Sequence, residues 1–297
     1  VFLLFQEVPG CSTCKRFGEG PLSMPLLVEA IETHFVPLAV FNNVGSDAHL
    51  LARYKEPAWN NPVVRFFAAD RKELVPRKDR VWTALGIVTR MRRAMRESGT
   101  EVPDWLTLLE QDLVGSRLER TTVAMRCFKD GERQIGAMNG VIRTEAAWIG
   151  KHEVVEVVFD PKRLPFASLL ERVEHVSCLH VYAHDDAQAA VARALVGERV
   201  SVRKEDARTA EASDQKFFLG RSELRFLPLT PAQATKVNSA LGHEKDPTAY
   251  LSPRQIRLLE SIRKAAAKDA TVLDGLSRPG DVEALGAYEA QLRERLP

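Results

Sequence analysis

The sequence predicts a mixed α/β and α+β protein built from more than one domain. Three observations carry this. At 297 residues the chain is longer than a usual single domain. Short apolar runs alternate with amphipathic stretches of helix length, the pattern of layered strands and helices. That alternation ends near residues 98–119 and then restarts, so we read 1–98 as one domain and 99–119 as a helical linker. Residues 120–225 form a second domain and 226–297 a helical C-terminal extension in this reading.

The elements follow in order. Val1–Phe5 is a continuous apolar run, as a buried strand requires. Lys15–Ile31 has the length of a helix, and Phe35–Phe41 is a second apolar strand. Asp47–Tyr54 reads as a short polar helix. Pro62–Phe67 is a strand opened by proline, and Asp70–Glu73 turns the chain into a fourth strand at Leu74–Pro76. Val81–Glu97 places Leu85, Val88, Met91 and Met95 on one helix face, and a helix over Asp104–Val114 follows. In the second half, strands are expected at Arg120–Arg126, Val141–Trp148, Glu153–Phe159 and Cys178–Tyr182. Helices are expected at Lys129–Met138, Leu164–His175 and Asp185–Leu195. Thr230-Pro231 and Ser252-Pro253 are helix starts, because proline suits the first helical turn. Trp59 and Trp105 are expected to pack cores, and the charged helices after Ser252 to form a solvated face or a domain clamp.

Composition narrows the function. Apolar residues make up 45% and charged residues 28%, the values of a globular protein with a sizeable core. A net charge of +2 gives no global pull toward nucleic acid or a membrane surface, and no apolar run is long enough to span a bilayer. With no signal peptide in the sequence, a cytoplasmic location is the expectation, a removed targeting segment being left open. The four cysteines, Cys11, Cys14, Cys127 and Cys178, are too few for a disulfide scaffold. A zinc site lacks its second ligand pair, so no metal or other cofactor is expected.

The chemistry-bearing features are thiols at strand-to-helix junctions. Cys11-Ser12-Thr13-Cys14 lies between the first strand and the first helix. Backbone N–H groups at a helix start favour negative charge, so Cys11 is the expected attacking thiolate and Cys14 the partner that closes a disulfide. Pro62 is either an edge-strand proline or a cis-proline facing this pair. The order of strand, Cys-x-x-Cys, helix, strand, proline-led strand, strand and helix over residues 1–98 resembles the thioredoxin superfamily. That resemblance implies Cys11 as exposed nucleophile, Cys14 as its resolving partner and Pro62 as the adjacent cis-proline. The family's Trp-Cys-Gly-Pro-Cys is Gly10-Cys11-Ser12-Thr13-Cys14 here, so no redox potential carries over.

Cys127 occupies a second strand-to-helix turn, with Glu132 near the start of the helix. It is either a core cysteine or a reactive thiolate with a carboxylic acid in reach. Four motifs lie in order. They are Cys127-Phe128-x-x-x-Glu132, then Gly140-Val141-Ile142-x-Thr144-Glu145, then Glu153-Val154-Val155-x-Val157-x-Phe159-Asp160-Pro161, then Phe166-x-x-Leu169-Leu170. Together they resemble peptide methionine sulfoxide reductase A over roughly residues 120–220, with a weaker echo at Asp214–Leu219. The resemblance implies Cys127 as nucleophile, Glu153 as proton donor to the sulfoxide oxygen and Glu132 as a second family glutamate. It also implies a substrate wall of Phe128, Lys129 and Trp148. Lys129 stands where the family has Trp, and Trp148 where it has Tyr. The family loop that carries an active-site Asp is absent, because His175-Val176-Ser177 runs almost straight into Cys178. Cys178 is either a small core residue or a resolving thiol, and His152 and His175 are nearby acid–base candidates.

The expected function is a thiol-dependent oxidoreductase that reduces a sulfoxide-type substrate at Cys127 with electrons from Cys11/Cys14. Its partners are a small-molecule or protein-bound sulfoxide or disulfide and a thioredoxin or other thiol reductant, with no nucleic acid or membrane. The rivals are a protein thiol–disulfide oxidoreductase whose second domain only binds, and a non-enzymatic redox sensor.

Overall fold

The computed structural model describes all residues except Ala58, Asn60, Ser177, Glu205, Ala270 and Pro297, of which Ser177 falls within a segment quoted above. The architecture is mixed α/β, and the chain divides into two compact units, Val1–Leu113 and Val114–Pro297.

The first unit runs β1 (Phe2–Gln6), α1 (Ser12–Glu19), α2 (Pro25–His34), β2 (Pro37–Phe41), α3 (Ala48–Tyr54), β3 (Val63–Phe66), α4 (Ala84–Glu97) and α5 (Asp104–Leu113). The sheet order is β2-β1-β3, with β1 parallel to β2 and antiparallel to β3. Its core includes Leu3, Phe5, Val40, Leu51, Val63 and Phe67. The single helix expected over Lys15–Ile31 is instead two, separated by a 3₁₀ turn at Pro21–Ser23. Pro21 and Pro25 lack the N–H that a continuous helix needs, and each opens a new helical segment. The expected fourth strand shrinks to a bridge between Phe67 and Glu73. Arg71 takes φ +70° to make the turn, and Pro76 cannot extend a ladder. Thr83 caps α4 by accepting the Gly86 N–H at 3.1 Å, so that helix begins at Ala84 rather than Val81. Trp105 is buried and stacks on His34, whereas Trp59 is 83% exposed and packs no core. The peptide bond between Asn61 and Pro62 is cis.

The second unit comprises β4 (Glu119–Met125), α6 (Phe128–Gly136), β5 (Val141–Ile149), β6 (His152–Phe159), α7 (Phe166–Glu174), β7 (Cys178–Ala183), α8 (Asp186–Val196), β8 (Val200–Val202) and β9 (Arg208–Thr209). After these come α9 (Phe217–Gly220), α10 (Pro231–Gly242), α11 (Pro253–Lys268) and α12 (Leu285–Glu294). The sheet order is β8-β7-β4-β6-β5-β9, antiparallel except for the β7–β8 pair. Helix α7 begins at Phe166, after Pro165, rather than at Leu164.

Helix α10 sets α6 in place. It packs against α6 and β5, and its residues 232–240 are all buried. The Nζ of Lys236 donates to the carbonyls of Gly136 and Met138, both at 2.8 Å, where α6 ends. A cation there satisfies orphan carbonyls and complements the helix dipole. The hydroxyl of Ser239 donates to Arg133 O at 2.6 Å, one turn earlier. Gly131 lets α6 lie on the sheet, since a Cβ there would come within 2.8 Å of Val155 and 2.9 Å of Met125. Helices α10 and α11 both open with complete capping boxes at Thr230/Gln233 and Ser252/Gln255. Among the described residues no helix is long and apolar enough to cross a membrane.

Candidate functional site

In the first unit, Cys11 is the N-cap of α1. The backbone N–H of Cys14 donates to Cys11 Sγ at 3.1 Å, so an orphan amide of the first turn is aimed at the first sulfur. Cys11 is half-buried and Cys14 is 2% exposed. Cys14 Sγ in turn accepts the Glu7 N–H at 3.4 Å. Burial, followed by its contact with Cys11, pushes the Cys14 thiol up to about 12. The loop before the helix is held by Cys11 N–H donating to Glu7 O at 3.1 Å. Gly10 makes this turn at φ +130°, and a Cβ there would meet Glu7 Oε1 at 2.8 Å. Asn43 reaches across to the Pro9 carbonyl at 2.8 Å, and Trp82 Nε1 donates to Pro62 O at 3.0 Å.

In the second unit, Cys127 is the N-cap of α6 and is half-buried. Glu153, at the start of β6, stands beside it. Its Oε2 accepts the backbone N–H of Phe128 at 2.8 Å, so a carboxylate occupies the positive end of the helix next to the thiol. Across the ladder Glu153 pairs with Trp148, and the ring of Trp148 meets that of Phe128 edge-on at 5.4 Å. Arg208 lies 5.9 Å from the centroid of the Trp148 ring. Cys127, Phe128, Trp148 and Glu153 are therefore brought together.

Lys129 and Glu132 face other surroundings. Lys129 Nζ pairs with Asp214 at 2.8 Å and lies 4.3 Å from the Phe217 ring centroid. The Asp214 carboxylate neutralises its charge. Glu132 is wholly buried and accepts from Thr144 Oγ1 at 3.0 Å, Lys216 N at 2.9 Å and Lys216 Nζ at 2.5 Å. With three donors in a closed setting, it holds α6 to β5 and to the segment before α9.

Cys178 is buried in the main core of the second unit, where Phe128 also lies. Its register partner is Met125, two residues before Cys127, which places both thiols at the same end of the β4–β7 pair. Burial, reinforced by Glu174, pushes its thiol up to about 11. His152 is exposed, with Nδ1 2.8 Å from the Tyr182 hydroxyl, and His175 is exposed at the end of α7. Among the described residues no cluster of three or more His, Cys, Asp or Glu could hold a metal ion.

The sequence reading missed Lys216 as the partner of Glu132 and Lys236 as the clamp on α6. The only signal for Lys236 was an unusual helix, small-residue-rich and sparsely charged, in an otherwise charged tail. Compared with known proteins, the chain matches no family model, and no curated protein shows significant similarity to it.

Proposed function

We propose that this chain is a thiol-dependent oxidoreductase, reducing a sulfoxide-type substrate at Cys127 with two electrons from the Cys11/Cys14 dithiol. The observation that carries the reading is the Cys14 N–H aimed at Cys11 Sγ, with one sulfur half-buried at a helix start and the other shut inside. This is the asymmetry that a nucleophile and its resolving partner require. Support for the second centre is a cysteine at a helix N-terminus whose next residue, Phe128, has its N–H on the Glu153 carboxylate and its ring against Trp148.

The Cys127 thiolate attacks the sulfoxide sulfur while the oxygen takes one proton from Glu153. The substrate S–O bond breaks as that hydroxyl passes to Cys127 Sγ, the sulfide leaves, and Cys127 is left as a sulfenic acid. A thiol condenses with it, releasing water and forming a disulfide. Exchange with Cys11 and then Cys14 returns Cys127 to the thiol and leaves Cys11/Cys14 oxidised, to be reset by an external thiol reductant. Purified chain with dithiothreitol or a thioredoxin system is expected to reduce free or peptide-bound methionine sulfoxide. Cys127→Ser is expected to abolish turnover while Cys11 still reacts with alkylating agents. Absence of turnover on both substrates refutes the sulfoxide assignment.

A second reading is thiol–disulfide exchange on proteins through Cys11/Cys14, the second unit serving for binding. The Lys129–Asp214 ion pair and the enclosed Glu132 favour it, since both depart from an open sulfoxide pocket. Insulin reduction that survives Cys127→Ser separates this reading from the first.

A further inference from the structure

A cavity of about 660 Å³ lies in the second unit, bounded by the segment 212–225 on one side and 276–278 on the other. It shares no residue with the group around Cys127. Its charged lining consists of Lys216, Arg221, Arg225 and Arg278, with no carboxylate among the lining residues. Lys216 is already committed to Glu132. Among the described residues the three guanidinium groups have no carboxylate partner within ion-pair distance, although Arg221 and Arg225 lie over the Phe217 and Phe226 rings, 3.4 and 4.5 Å from the centroids. Arg221 and Arg225 donate only to the carbonyls of Phe217 and Gly220.

Arg278 is the informative one. Its Nη1 is sealed from solvent and has no hydrogen-bond partner, a costly arrangement for a charged donor. Burial holds its pKa below the ordinary guanidinium value, with Tyr288 and Glu132 opposing only in part. Glu132 cannot serve as a private counter-ion, because its oxygens already accept from Thr144 and twice from Lys216. Arg278 is half-buried as a residue and lines the cavity, so an anion entering there would meet its charge.

We propose that this cavity binds a small organic phosphate ester, its phosphoryl oxygens held by Arg221, Arg225 and Arg278. Guanidinium forks match the geometry of such oxygens. The hydroxyls of Ser213 and Ser277 line the same space. Leu219 and Leu276 supply apolar wall for the organic part, and the volume is that of a small-molecule site rather than of a bare ion.

The test is calorimetric titration of the full chain with phenyl phosphate and, separately, inorganic phosphate at matched ionic strength. Saturable one-site binding is expected, tighter for the ester. Arg278→Gln and Arg221→Gln are each expected to weaken it roughly tenfold to a hundredfold, the loss of one charged hydrogen-bonding group. Arg221 is exposed, so its variant keeps the test valid if Arg278→Gln fails to fold. Arg263→Gln, on the exposed side of α11 and away from the cavity, is expected to bind as the parent does. No saturable binding, parental affinity in both cavity variants, or an equal loss in Arg263→Gln overturns the proposal. Equal affinity for the two ligands overturns the assignment to an ester.

Discussion

Lys216 holds Glu132 twice. Its backbone N–H donates to Oε2 at 2.9 Å while its Nζ reaches Oε1 at 2.5 Å and also donates to the Thr144 carbonyl. The residue takes φ +47° to do this, a left-handed conformation that a side chain ordinarily disfavours. The strain is retained because both donors of one residue land on one fully buried carboxylate.

Breaking that grip from one side leaves a buried charge alone. Lys216→Met is expected to destabilise the second unit by about 3–5 kcal/mol, the usual cost of removing one member of a buried ion pair. Adding Glu132→Gln to the same chain is expected to recover part of that loss, since the residual partner is then neutral. Urea unfolding with m-values compared across the set reads both effects. A Lys216→Met loss below about 1 kcal/mol contradicts a stabilising role for this buried pair.

The two thiols of the first unit are expected to differ sharply in reactivity. Burial and the neighbouring Cys11 push Cys14 up to about 12, so it is protonated throughout the neutral range. Iodoacetamide at pH 8 is expected to label Cys11 at least about tenfold faster than Cys14, because the thiolate is the reacting form. Peptide mapping by mass spectrometry after timed quenching gives the two rates. Equal rates remove the division into attacking and resolving sulfur.

How much of this was legible beforehand follows from the range of each interaction. Cys11 at a helix start and the apolar runs of β1, β3 and β6 are local signals, and the sequence carries them in contiguous residues. The Glu153 position was reached only through family resemblance, and its contact with the Phe128 amide spans 25 residues of chain. Lys216 and Glu132 are 84 positions apart, with no periodicity that ties them. Trp59 misled because a large ring is ordinarily buried, while this one, between α3 and β3, is 83% exposed. The break between α1 and α2 is a local signal too, since Pro21 and Pro25 each open a new helical segment.

Cys178 makes stability depend on alkaline pH. Its folded pKa is about 11 against an ordinary value of 9.0, so between these the unfolded chain holds fewer protons than the folded one. Stability is therefore fully present below about pH 9 and falls as pH rises toward 11, by about 3 kcal/mol for a two-unit shift. Cys178→Ala removes this contribution. Its urea midpoint is expected to drop less between pH 8 and pH 10.5 than that of the parent, Cys14 contributing equally to both chains. Parallel drops in the two proteins indicate that Cys178 ionises as freely when folded as when unfolded.

Glu153 gives the sharpest division between structure and chemistry at the second thiol. Its Oε2 accepts the Phe128 N–H, and a glutamine amide oxygen can accept the same bond, so Glu153→Gln preserves the start of α6. What it removes is a titratable carboxyl beside the start of α6, which opposes a neighbouring thiolate when ionised and, in the proposed reaction, gives up a proton when protonated. The loss of these two roles acts in opposite directions on two readouts. Alkylation of Cys127 is expected to proceed as fast as in the parent or faster, because a neighbouring carboxylate opposes formation of the thiolate. Sulfoxide turnover is expected to fall about 10²–10⁴-fold, the usual contribution of a positioned general acid. A folding defect would slow both, so the split itself identifies the role. If turnover in Glu153→Gln equals that of the parent while Cys127→Ser is inactive, the proton comes from another group. In that event His152, hydrogen-bonded to Tyr182 on the exposed side of the sheet, is the next residue to replace.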